Sequence, residues 1–364
     1  MNILILTTHF NTGGITSYIL TLAKGLHKNN DKVFVISSGG NMVSVLESSG
    51  VKHISLDIRT KSEVSPKLYK ALPWLLNFCK ENKIEVIHTQ TRITQVLGAM
   101  LSRFMNVAHV STAHGFFKVR LFRRLLPCWG DAVIAISRQV ENHLVGDFHV
   151  QKDKIFWVTH GISCDIKLLS QEEKEAKRKE LGFSLDPLAG IIARLSEVKG
   201  QDILISAMRK VVDKKKDAKL LIVGQGKTEE YLKSLVEKLD LKDNILFLPV
   251  VDRSEEILSL LDIFVMPSRQ EGLGLSVMEA QAQGLPVIAS NVGGIPTLIE
   301  DGRTGILVPP ENADALAEEL LCLFENLEKA KEIGQKAKIF AQENFSIDRM
   351  IDQTRDVYKK VLRK

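Results

Sequence analysis

Two doubly wound, Rossmann-like α/β domains facing across a cleft are the fold that this sequence predicts. Three observations carry that reading. Short apolar runs alternate with helix-period segments almost from end to end. Many runs are continuously apolar and do not alternate, which suits parallel strands covered by helices on both faces. And 364 residues are too many for one ordinary core, so two domains are expected.

In the first half, strands read at Ile3–Thr7, Lys32–Ile36, Lys52–Leu56, Val86–Thr89, Ala108–Thr112 and Ala132–Ile136, with a short one near Ile155–Val158. Helical patterns such as Ile15–His27 and Tyr69–Glu81 fill the gaps. In the second half, strands read at Ala189–Ala193, Leu220–Val223, Ile245–Leu248, Ile263–Val265, Val287–Ala289 and Ile306–Val308. The alternation breaks at Ser170–Glu180, SQEEKEAKRKE, with Asp186–Pro187 just after. This charged stretch reads as a surface helix or linker, giving domains at 1–168 and 188–344 with 169–187 between them. Phe345–Leu362 is a lone amphipathic helix after the last strand.

Hydrophobic content of 45% and charged content of 26% describe a soluble globular chain. A net charge of +5 favours anionic ligands or an anionic membrane face and does not indicate a nucleic-acid binder. Cys79, Cys128, Cys164 and Cys322 are widely separated, with no CxxC and no zinc spacing. Reduced thiols in a cytosolic protein follow. No apolar run approaches the roughly 18 residues of a membrane span. The N-terminal NILILTT lacks a basic flank and reads as a first strand, not a signal peptide.

The chemistry concentrates at strand ends. In SRQEGLGLSVMEA, Ser268–Ala280, a loop follows the strand ending near Pro267, and a helix starts at Leu275 or Ser276. Free N–H groups around Gly274 to Ser276 can point at an anion. Glu271 and Glu279 cannot both serve that anion; an ionised carboxylate only accepts hydrogen bonds and suits a hydroxyl. A diphosphate flanked by a ribose and a hexose meets both demands. For Glu279 the alternative is a solvated carboxylate at a helix N-terminus, stabilising by about 0.3–1 kcal/mol.

ARLSEVKGQDIL places Arg194 and Lys199 on another strand-end loop. A guanidinium fork and an ammonium can clamp a diphosphate, unless the two form an ordinary solvated pair. No DxD pair is present to hold a divalent metal; no metal or cofactor is expected, with a UDP- or GDP-type sugar as donor substrate. NTGGITS puts Gly13 and Gly14 before a helix, and VGQGKTEE puts Gly224 at a similar junction. Neither is GxGxxG, so the dinucleotide fingerprint is absent and a dehydrogenase is disfavoured. His114, in STAHGFF, follows a buried strand; it is either structural or poised at the cleft.

Together these residues resemble family-4 retaining glycosyltransferases of the GT-B fold. EGLGLSVME resembles their E-x7-E signature, ARLSEVKG their Arg/Lys diphosphate motif, and ASNVGGIPTLIEDGRTGILVPP the segment that follows. NTGGI resembles their N-terminal glycine loop and STAHG the loop of their active-site histidine. The resemblance implies that Arg194 and Lys199 hold the donor diphosphate and that Glu271 binds sugar hydroxyls. It implies that the backbone of Gly272, Leu273, Gly274, Leu275 and Ser276 meets sugar and phosphate, and that Glu279 binds the ribose. It implies as well that Gly14 approaches the phosphate or acceptor, that His114 contacts the sugar near the reacting bond, and that the final helix, 345–364, completes the N-terminal domain. The chain departs from the family in Leu273 for a usual Phe, Thr297 where an acid is common, and His160 where Asn is usual.

The acceptor is expected to be a glycan or glycolipid hydroxyl. In FFKVRLFRRLLP, Phe117, Leu121 and Leu125 form one helical stripe, with Lys118, Arg120, Arg123 and Arg124 around it. Such a helix suits an anionic membrane surface or a phosphorylated glycolipid, or simply packs on its own sheet. Rival readings are a nucleotide-sugar 2-epimerase and a non-catalytic nucleotide-sugar binder. The expected setting is the cytoplasm, with peripheral contact at the inner face of the membrane.

Overall fold

The apolar runs of the first half become seven parallel strands in the computed structural model, which describes residues 1–364 except 120–122, 125, 167–168, 184–185, 252 and 364. They are β1 (Asn2–Leu6), β2 (Lys32–Ser37), β3 (Lys52–Ser55), β4 (Val86–Thr89), β5 (Ala108–Ala113), β6 (Ala132–Ala135) and β7 (Ile155–Trp157). Their order is β3-β2-β1-β4-β5-β6-β7. The chain divides into two units, Met1–Gly161 with Ile347–Lys364, and Ile162–Ser346.

Successive residues of a strand point to opposite faces, and both faces of this sheet are buried. Ile3 and Ile5 join a core with Tyr18, Ile19 and Leu22 of α1 (Gly14–Lys28). Leu4 and Leu6 join a second core with Leu68 and Leu75 of α3 (Pro66–Glu81) and Leu97 and Leu101 of α4 (Arg92–Phe104). A short helix, α2 (Val43–Glu47), lies between, and α5 (Arg138–Phe148) precedes β7. The last helix of the chain, α13 (Ile347–Leu362), buries Met350, Ile351, Val357 and Tyr358 in the α1 core. That burial explains its strong amphipathic pattern.

The second unit is a six-stranded parallel sheet. Its strands are β8 (Leu188–Ile192), β9 (Lys219–Val223), β10 (Ile245–Leu248), β11 (Ile263–Met266), β12 (Val287–Ser290) and β13 (Ile306–Val308). The order is β10-β9-β8-β11-β12-β13. Its described helices are α6 (Gln171–Glu180), α7 (Gln201–Lys214), α8 (Glu229–Lys238), α9 (Ser254–Leu258), α10 (Leu275–Gln283), α11 (Ala313–Glu325) and α12 (Leu327–Asn344). The charged stretch before it is α6, which belongs to this unit. Ser170 and Glu173 form its capping box, and its one buried side chain, Arg178, donates to the Leu260 carbonyl at 2.8 Å and pairs with Asp262 at 2.8 Å.

In each sheet the strand order reverses once, between β1 and β4 and between β8 and β11. Loops leaving the carboxyl ends of such strands part to opposite sides and leave room for a ligand. NTGGITS follows β1, ARLSEVKG follows β8 and EGLGLSVME follows β11, at these two places, whereas STAHG lies at the end of β5 and VGQGKTEE at the end of β9.

Candidate active site

In the second unit, the turn after β8 and the loop after β11 lie against each other. Lys199 ends a single 3-10 turn, Glu197–Lys199, and Gly200 follows with φ 68°. A Cβ on Gly200 would sit 2.0 Å from the Pro267 carbonyl oxygen. Only glycine allows this approach, and it sets Lys199 Nζ on Glu271 Oε2 as an ion pair. The two side chains are 22% and 13% exposed. Ser268 Oγ lies 3.5 Å from the same carboxylate oxygen.

Two further clamps hold the loop. Arg269 donates to both Asp202 oxygens at 2.9 and 2.7 Å, to Glu311 at 3.0 Å and to the Glu197 carbonyl at 2.6 Å. Its own N–H donates to the Val198 carbonyl at 2.8 Å. From the other side, the Gly294 N–H donates to the Glu271 carbonyl at 3.0 Å. A Cβ on Gly293, at φ 53°, would lie 1.8 Å from that carbonyl oxygen. The backbone that carries Glu271 is thus fixed from both sides.

Gly274 caps α10 in the left-handed region. The N–H groups of Leu275 and Ser276, in the first turn, have no carbonyl four residues back within the helix and point outward. Leu273 has its side chain in the core, 4% exposed, so only its backbone is available to a ligand. Glu279 lies about one turn into α10. Ser254 Oγ donates to it at 3.3 Å. Burial pushes its pKa above the usual carboxylate range, and the charge of Glu255 adds to the rise. Arg194 is exposed; its carbonyl accepts from Gln201 Nε2 at 3.1 Å. Its guanidinium makes no hydrogen bond or ion pair among the described residues. Gly224 packs on that strand end, where a Cβ would come 2.1 Å from the Ala193 carbonyl oxygen.

The loops after β8 and β11 therefore carry an exposed guanidinium, an ammonium and a helix N-terminus, groups suited to an anion. Glu271 and Glu279 remain as acceptors for hydroxyl donors. Sequence reasoning missed Arg269, Ser268, Ser254 and the contacts of Gly293 and Gly294. Arg269 gave no signal, because its partner Asp202 is 67 residues away.

In the first unit, Gly13 caps α1 and Gly14 is its first residue. A Cβ on Gly13 would meet nothing within 4 Å, so the space beside it is open. His114 leaves the end of β5, half-buried, with Nε2 2.8 Å from Gln90 Oε1. It packs edge-on against Tyr18, ring centres 4.9 Å apart. Burial, and then neighbouring His160, lower its pKa to about 3. His114 is a neutral imidazole held by Gln90.

His160 is likewise edge-on to Tyr18 at 5.5 Å, its Nδ1 2.6 Å from the Gly161 carbonyl oxygen. Its Nε2 and the Gln90 Nε2 are buried without hydrogen-bond partners among the described residues. Deeper still, His88 bonds Tyr358 and Thr112, each at 2.7 Å, tying α13 to the sheet. Tyr18, Gln90 and the placement of His160 beside His114 were not legible in the sequence.

The basic segment after His114 departs from its expectation. Arg123 does not face outward; it is 8% exposed. Its guanidinium lies over the rings of Phe117, Trp129 and Phe148 at 4.1, 5.5 and 5.8 Å. Stacking on three aromatic faces outweighs exposure for a weakly hydrated guanidinium. Phe117 itself is not helical. Arg124 is exposed and donates to the Asp147 carbonyl at 3.3 and 3.2 Å. Arg120, Leu121 and Leu125 lie outside the described residues.

Comparison with known proteins bears on the family and the fold. The family model for glycosyl transferases group 1 matches residues 173–340, and the model for glycosyltransferase family 4 matches residues 12–166. D-inositol 3-phosphate glycosyltransferase of Corynebacterium glutamicum is 28% identical over 366 residues, covering 90% of this chain and 87% of its own. Among solved structures, a glycosyltransferase from Rickettsia africae superposes with a TM-score of 0.90 at 24% identity, covering 100% of this chain and 99% of its own. Anabaena Alr3699/HepE, solved in complex with UDP and glucose, gives 0.87 at 21%, covering 99% of each chain. With both halves matched by the family's models and both sheets by its GT-B architecture, the chain belongs to the group 1, family-4 type and is a glycosyltransferase.

Proposed function

We propose that the chain moves a sugar from a nucleotide diphosphate sugar to an acceptor hydroxyl, with retention at the anomeric carbon. The observation that carries this reading is the Lys199–Glu271 pair set beside the N-terminus of α10 at the β8/β11 reversal. A lone phosphate site has no use for Glu271; a sugar joined to a diphosphate uses both charges. UDP in the HepE complex supports a uridine donor for a protein of this fold.

As the glycosidic bond breaks, negative charge grows on the leaving diphosphate. Arg194, Lys199 and the Leu275 and Ser276 N–H groups meet it with donors already in place, each worth about 2.7–4 kcal/mol by analogy with oxyanion holes. Glu271 accepts from sugar hydroxyls and Glu279 from the ribose. Retention follows where the acceptor attacks from the leaving-group side and the diphosphate takes its proton. His114, neutral and held by Gln90, contacts the transferred sugar. The acceptor is a glycan or glycolipid of the cell envelope.

The test is to incubate the protein with UDP-, GDP- and ADP-sugars and a glycan or glycolipid acceptor pool. Release of one nucleoside diphosphate, with a product of the donor's anomeric configuration, is expected. Epimerised donor with no transfer would replace this reading with an epimerase; no consumption of any donor would remove it.

A further inference from the structure

A cavity of about 340 Å³ opens in the first unit, lined by Lys61, Glu63, Arg92, Phe116, Lys118 and Arg123 among others. We propose that it seats a phosphate ester carried by the acceptor, a claim that rests on the glycosyl-transfer reading above.

Four cations face one carboxylate there, and that carboxylate is already committed. Arg92 grips Glu63 through Nε at 2.8 Å and a second nitrogen at 3.2 Å. The same guanidinium donates to the carbonyls of Pro127 and Leu126 at 2.7 and 2.6 Å. Glu63 is thus neutralised and Arg92 is fixed as part of the wall. Arg123 is fixed too, under the aromatic cluster. Lys61 and Lys118 are exposed and have no hydrogen bond or ion pair among the described residues. Two fixed guanidinium groups in the wall and two uncommitted ammonium groups at the mouth make a cavity that selects for a multiply charged anion.

The cavity also adjoins the strand ends that carry Gln90 and His114. Arg92 follows Gln90 by two residues and Phe116 follows His114 by two, and Gln90 and His114 are bonded at 2.8 Å. Its walls are therefore continuous with the strand ends that carry His114. A volume near the lower end of the roughly 300–1,000 Å³ usual for ligand sites fits a sugar or polyol phosphate and not a long glycan. Phe116 supplies an apolar wall for the carbon face of such a molecule.

The phosphate can come from a soluble ester or from a lipid headgroup, and the test separates them. Glycerol 3-phosphate is titrated into the full chain, and into Lys61→Ala/Lys118→Ala, with circular dichroism confirming that both are folded. Vesicles of equal parts phosphatidylcholine and phosphatidylglycerol are tested by sedimentation against both proteins. Loss of at least about tenfold in affinity for either probe in the double variant, or about 1.4 kcal/mol, is the expected result, and the probe affected names the source. Equal affinity of the two proteins for both probes, or no binding of either, overturns the proposal. UDP and GDP are titrated alongside: their affinity is expected to match in the two proteins. Absence of nucleotide binding to the parent protein counts against the donor reading alone, because the phosphate arm is read without nucleotide.

Discussion

Lys199 and Glu271, 72 residues apart in the chain, are joined as an ion pair between the turn after β8 and the loop after β11. On the proposed reading, the pair lets a carboxylate stand beside a diphosphate, because its charge is met by the same ammonium that would face the diphosphate. Lys199→Ala leaves Glu271 half-buried and unpaired, and Glu271→Ala frees Lys199. The two losses should therefore not add. A double-mutant cycle on kcat/KM is expected to give a coupling of about 1–3 kcal/mol; additive effects would show that the two act separately.

Gly293 has no room for a side chain. Alanine there meets the Glu271 carbonyl oxygen at 1.8 Å and must also hold a φ of 53°. Gly293→Ala is expected to cost about 2–4 kcal/mol. Calorimetry should show the second unit melting roughly 4–16 °C lower, with nucleotide affinity falling in parallel as Glu271 is displaced.

Gln90 is a positioning residue for His114. Gln90→Leu removes the bond at 2.8 Å and lets the imidazole turn. A fall in kcat of about 10–100-fold is expected, with the dissociation constant of the nucleotide unchanged. Gln90→Glu, which keeps an acceptor at that place, should recover part of the loss; a variant that merely loosened the fold would not be rescued this way.

Three fully buried histidines make the first unit sensitive to acid. Burial lowers His88 to about 3, His109 to about 4 and His160 to about 4. Below the usual histidine value near 6.5, the unfolded chain binds these protons and the folded chain does not. Stability is therefore present above about pH 6.5 and is lost as pH falls toward about 4. Each histidine contributes up to about 1.4 kcal/mol per pH unit in that window. Urea melts between pH 7 and pH 5 should show this fall, and His160→Asn should make it shallower. A pH-independent midpoint would contradict the burial of neutral rings.

The parallel strands were legible because they are unbroken apolar runs, and the loops after β8 and β11 because glycines and charges follow those runs directly. Boundaries shifted by a residue or two, as at β8, which ends at Ile192 and not Ala193. What the sequence hid was contact between distant segments. Arg269 reads as a solvated charge until Asp202 is placed against it. Gln90 and Tyr18 are ordinary core residues until β4, β5 and α1 bring them to His114. Arg123 reads as an exposed cation because a pattern of charges cannot show three aromatic rings folding over one of them.

The most direct measurement is calorimetric titration of UDP and GDP into the protein and into Arg194→Ala/Lys199→Ala. One nucleotide should bind the unaltered chain and lose at least about 100-fold in the double variant, the removal of two charge-assisted contacts. Equal affinity for that nucleotide in both proteins, or no binding to either, would contradict a diphosphate held between these two cations.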